Sequence, residues 1–178
     1  MVKEEEKRWT YMVRLLSNFP HEIGAEIGVW RGTFTLNLLR GLPGIKTYHC
    51  VDIWKHYDGH TETLNPQGKM ARSDMDKVFL EFKQKAKPFI DKLIIHRMKS
   101  IEAADHVADD SLDWVFIDAN HAYEYALEDI KVWTPKVKKG GIVSGHDYGN
   151  DRFGVTQAVN ESFDDFKLGS NYVWWLIK

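Results

Sequence analysis

The sequence contains a single cysteine, Cys50, so no disulfide can form within the chain. That usage fits a reducing compartment, and a cytoplasmic protein is the expectation. A surplus of basic charge is missing too. The net charge is −2 at neutral pH, which removes the positive field that nucleic-acid binding requires. No apolar run approaches the roughly 18 residues of a membrane-spanning helix. Neither nucleic acid nor membrane is therefore expected as a partner. The charged run at residues 3–8 is not followed by the apolar stretch of a secretory signal. Internal repeats and low-complexity segments are lacking. So is the G-x-G-x-x-G turn of dinucleotide sites.

What remains is an ordinary globular composition in 178 residues, read as one domain over 1–178 with room for a substantial core. Seven tryptophans are read first as large core side chains and second as aromatic walls around a ligand. Trp9, Met12, Val13 and Leu16 recur at helical spacing and predict a helix over about 5–17. Residues 23–27 form an apolar strand that runs into a glycine turn, followed by a helix over 33–40. Residues 47–53 read as a second strand. The polar stretch 55–73 is long for a connection and is read as a lid or substrate loop. Met75, Val78, Phe79, Phe82 and Ala86 make another helical stripe. A short strand at 93–96 leads to Ser100, taken as the N-cap of a short helix. Residues 112–117 are apolar apart from Asp113, as for a strand buried on both faces. Tyr123, Ala126, Leu127, Ile130 and Trp133 mark the next helix. Gly140 and Gly141 are read as a turn into a strand at 142–144. A helix around Val155 to Phe163 and a final strand at 172–177 complete the chain.

Strands alternating with helices predict an α/β three-layer sandwich with a mostly parallel sheet. Ligands of such sheets sit beyond the carboxyl ends of the strands, where strand order reverses. Four predicted strand ends carry chemistry. The turn Glu26-Ile-Gly-x-x-x-Gly-Thr33 joins a strand to a helix start, a place where backbone N–H groups face a ligand. It suits a ligand carrying an adenosine and an amino acid. Asp52 ends the second strand, where a carboxylate can take both hydroxyls of a ribose. Asp118, His146 and Asp147 end two later strands. They would suit Mg²⁺ or Mn²⁺ better than zinc, because no thiolate contributes. A hydrogen-bonded acidic cluster without metal is the alternative, and both readings stay open.

These segments resemble class I S-adenosylmethionine-dependent methyltransferases. The resemblance rests on Glu26-Ile-Gly-x-x-x-Gly-Thr33, Val51-Asp52-Ile53-Trp54, Phe116-Ile-Asp-Ala-Asn-His-Ala-Tyr-Glu124 and Lys139-Gly-Gly-Ile-Val-Ser-Gly-His-Asp-Tyr148. Within that class they are most similar to the small branch containing sugar and macrolide O-methyltransferases. The resemblance implies a Rossmann-like sheet of order 3-2-1-4-5 plus a closing edge strand. Two closing strands are usual, so the far edge reads as truncated. It implies S-adenosylmethionine as cofactor, with Glu26, Gly28, Gly32 and Thr33 in its turn and the first three at the methionine end. Asp52 would hold the ribose, Ile53 would lie beside the adenine, and Ser100 would stand at the adenine edge. Asp118 would face the cofactor and the reaction. Metal-dependent relatives place an Asp where Asp118 stands and an Asp-Asn pair where His146 and Asp147 stand. Histidine is a poorer magnesium ligand, so the pattern departs there. His121 falls where those relatives have a lysine base and is the candidate general base. The expected reaction is O-methylation of a small hydroxylated molecule, with a homo-oligomer left open. A non-catalytic S-adenosylmethionine- or nucleotide-binding protein and an NAD-dependent oxidoreductase are the alternatives.

Overall fold

The structure, a computed structural model, describes residues 6–55 and 72–178. Most of the expected lid loop, residues 56–71, lies outside the described residues. Helix α1 (Arg8–Leu16) precedes β1 (Ile23–Ile27), α2 (Thr33–Gly41) and β2 (Thr47–Val51). Then come α3 (Arg72–Ala86), β3 (Leu93–His96), α4 (Ser100–Ala104), β4 (Leu112–Ile117) and α5 (Tyr123–Trp133). The chain continues through β5 (Val137–Gly145), α6 (Val155–Ser162), β6 (Lys167–Leu168) and β7 (Trp174–Ile177).

The strands form one seven-stranded sheet of order β3-β2-β1-β4-β5-β7-β6. The first five run parallel, β7 lies antiparallel to β5, and β6 lies antiparallel to β7. Each face carries its own apolar cluster. One gathers Met12, Leu16, Leu38, Trp54, Phe82 and Trp114, from α1, α2, α3 and the sheet. The other gathers Ala104, Val115, Ile130, Trp133, Val159 and Trp174, from α4, α5, α6 and the sheet. The α/β three-layer reading and the 3-2-1-4-5 order are as the sequence pattern and its resemblance implied. The tryptophans are mainly core: Trp54, Trp114, Trp133 and Trp174 are fully buried.

Three expectations are corrected. Gly140 and Gly141 do not open a new strand but lie inside β5. Pairing jumps there from Leu112↔Val137 to Trp114↔Ile142, so an irregularity, not a turn, absorbs them. The far edge is not truncated: a two-residue strand, β6, supplies the second closing strand. It is too short to leave a hydrophobic alternation. Ser100 is not the N-cap of α4; Lys99 is, and Ser100 is the first helical residue. Asp113, the one acidic residue in β4, is buried yet satisfied. It accepts the Ile23 N–H at 2.9 Å and Lys138 Nζ at 2.6 Å.

Candidate functional site

The parallel register brings the candidate residues to one rim. Gly28 donates its N–H to Val51 O, Asp118 donates to Ile27 O, and His146 donates to Ile117 O. The ends of β1, β2, β4 and β5 are thereby laced side by side. Strand order reverses between β1 and β4. Gly28 has φ +95°, and a Cβ there would meet Asp118 O at 2.1 Å. Only glycine allows the two strand ends to approach this closely. Gly32 is the N-cap of α2, and Thr33 is its first residue.

Glu26 points into the protein. It is 2 % exposed, and its Oε2 accepts Thr35 Oγ1 at 2.5 Å and the Tyr48 hydroxyl at 2.8 Å. Burial pushes its pKa up to about 8, against the pull of those two bonds. Asp52 Oδ2 accepts the Trp30 N–H at 2.8 Å and Oδ1 accepts the Trp54 N–H at 2.7 Å. Trp30 and Trp54 both have positive φ, 49° and 41°. One carboxylate thus clamps two strained loops, and the Trp54 indole N–H donates to Trp30 O at 2.8 Å. Ile53 lies between these anchors and is half-buried. Ser100 is the first residue of α4. Its hydroxyl accepts the Trp133 indole N–H at 2.7 Å and bonds Asp129, so it is engaged with α5.

At the β4 and β5 ends, His121 Nε2 lies 3.3 Å from Asp118 Oδ1 and 3.2 Å from Asp147 Oδ2. His146 Nδ1 lies 3.0 Å from Asp147 Oδ2 and 3.6 Å from Asp118 Oδ1. Burial opposes ionisation of Asp147, but its hydrogen bond to His146 and the charges of His146 and His121 outweigh that and hold its pKa below the ordinary carboxylate range. Asp118, His121 and Asp147 have ligand atoms all within 4.8 Å of one another. That trio has His121 where the sequence reading had His146. The Phe153 ring lies tilted against His121, with ring centroids 4.5 Å apart. Phe153 also lines an open groove of about 580 Å³ with Asn150, Asp151, Thr156, Gln157 and Asn160.

Arg8 was not singled out by sequence reasoning. Its Nη2 lies 3.3 Å from Asp118 Oδ2. It sits in a charged run that reads as a solvated helix start, so no local signal marks it. Thr35 and Tyr48, which hold Glu26, were likewise not foreseen.

A family described as a methyltransferase domain matches residues 25–148. No curated protein matches the chain. Among solved structures, one described as a caffeoyl-CoA O-methyltransferase from Staphylococcus aureus is 16% identical with a TM-score of 0.66, covering 94% of this chain and 80% of that one. The O-methyltransferase NovP is 19% identical with a TM-score of 0.66, covering 93% of this chain and 76% of its own. A spermidine synthase from Thermotoga maritima is 14% identical with a TM-score of 0.58, covering 89% and 54%. Likeness at such identities establishes a shared fold, one that also hosts chemistry other than methyl transfer.

Proposed function

The chain belongs to the methyltransferase-domain family, and from that premise we propose that it moves a methyl group from S-adenosylmethionine to a hydroxyl of a small molecule. The carrying observation is the convergence of Asp118, His121 and Asp147 at the strand ends beside the Gly28 turn. When bound, the cofactor supplies a methyl group already activated on a sulfonium, so alignment and proton removal are what the protein must provide. The residues present fit it. The Gly28 turn offers main chain in place of a side chain at the reversal point, and Asp52 stands at the next strand end, where ribose hydroxyls are held in such sheets. His121 accepts the proton of the acceptor hydroxyl at Nε2. Asp118 and Asp147, each with an oxygen close to that nitrogen, stabilise the imidazolium that forms. The groove beside Phe153 is of a size for a small molecule and takes the acceptor.

One observation favours a second reading of the same cluster. The three ligand atoms within 4.8 Å would also hold a divalent cation, and His121 would then be a ligand and not a base. Two carboxylates with one imidazole suit Mn²⁺ better than Mg²⁺.

The test is release of S-adenosylhomocysteine with a panel of small hydroxylated acceptors, alongside calorimetry with the cofactor. Asp118→Ala is expected to lower turnover by about 100-fold or more. Asp52→Ala is expected to act mainly on cofactor affinity. Unchanged turnover in both variants overturns the proposal. Loss of turnover on chelation, restored by Mn²⁺, selects the cation reading; indifference to chelation selects the base.

A further inference from the structure

We infer that Arg8 recognises the carboxylate on the methionyl end of the cofactor, an inference that rests on the cofactor reading proposed above. Arg8 opens α1 and reaches across to the end of β4, where Nη2 meets Asp118 Oδ2 at 3.3 Å. Its charge also acts on Glu26 in β1. The guanidinium therefore stands over the gap between β1 and β4, where strand order reverses. Its Nε is buried and has no hydrogen-bond partner among the described residues. An N–H in that condition is costly unless an acceptor arrives. A guanidinium is a planar fork suited to two oxygens, and here one prong is engaged and the other is not.

Helix energetics do not explain the residue. A cation in the first turn opposes the helix dipole. The site does explain it. An amino-acid end carries an ammonium and a carboxylate on one carbon, and the crevice offers adjacent partners of both signs, Asp118 and Arg8. Glu26, largely protonated near neutrality, does not cancel the Arg8 charge. The guanidinium is presented from a fixed support. Met12 and Leu16 are fully buried under α1, and Glu6, just before it, accepts from Arg14 at 3.0 Å and Ser170 at 2.7 Å. The acceptor groove, by contrast, lies beyond β5 with Phe153.

The experiment is calorimetry of the full chain with S-adenosylhomocysteine and with its decarboxylated analogue. The wild type is expected to prefer the carboxylate-bearing ligand by roughly 10- to 100-fold, the size of a charge-assisted hydrogen bond. Arg8→Gln is expected to abolish that preference while leaving affinity for the decarboxylated analogue unchanged, and Arg8→Lys to restore part of it. A preference equal to wild type in Arg8→Gln overturns the inference. So does a variant that weakens both ligands alike, which would mark a structural role. So does a variant that spares both ligands and raises only the acceptor KM, which would move Arg8 to the acceptor. No binding of S-adenosylhomocysteine by the folded wild type would instead sink the cofactor reading and the inference with it.

Discussion

A carboxyl group sealed inside a sheet answers to pH differently from one at its rim. Asp147, at the rim beside two imidazoles, is held ionised, whereas Glu26, inside, has its pKa pushed up to about 8 by burial. Between the ordinary value of 4.5 and about 8, the folded chain keeps a proton on Glu26 that the unfolded chain releases. This contribution to stability is complete below pH 4.5 and falls as pH rises through about 8. Glu26→Gln removes the slope. Its stability relative to wild type should therefore improve between pH 5 and pH 8, by a difference on the order of a few kcal/mol. Urea unfolding at the two pH values reads it, and parallel curves would refute the assignment. Glu26 was visible in the sequence because it precedes a glycine turn. Its inward direction was not, because Thr35 and Tyr48 stand 9 and 22 positions away on other elements. Arg8 was hidden for the same reason, since its partner Asp118 belongs to a distant strand.

Helices and strands with a clean apolar period were legible, most to within a residue or two, though α1 starts at Arg8, about three residues later than its stripe implied. β4 and α5 emerge at the predicted bounds because one is apolar throughout and the other carries an unbroken stripe. Where an element is defined by its neighbours, the letters say little. β5 runs through Gly140 and Gly141 because β4 pairs with it before and after them and their backbone groups bond Lys178. β6 is two residues long and exists only as a partner of β7. The start of α4 makes the point for side chains. Ser100 is engaged with Trp133 and with Asp129, whose pKa burial raises to about 7. Ser100→Ala leaves the buried Trp133 N–H without its acceptor and should cost about 1–3 kcal/mol in denaturant unfolding. If the hydroxyl serves only this α4–α5 junction, affinity for S-adenosylhomocysteine will stay at the wild-type value. A matching drop in affinity would return Ser100 to the adenine edge.

At the scale of the molecule, the two apolar clusters lie on opposite faces of one sheet, and both contain buried tryptophan: Trp54 and Trp114 in one, Trp133 and Trp174 in the other. We propose that residues 1–178 behave as one cooperative unit. Tryptophan fluorescence and far-ultraviolet circular dichroism should then report coincident unfolding curves. Two separated transitions would divide the chain instead. The general architecture was readable because alternation of strand and helix allows few topologies. The site was readable only as a set of strand ends, since which ends become neighbours follows from the order of the sheet.

That order also governs how the chain assembles. β1 is an interior strand flanked by β2 and β4, yet β4, and the Asp113 carboxylate on it that accepts the Ile23 N–H, come about 90 positions later. A nascent chain that has made β1, α2 and β2 still has an open hydrophobic strand flank that local contacts cannot cover. Assembly must wait for distant sequence, which slows it and lengthens the interval in which chaperones or aggregation compete for the unfinished protein.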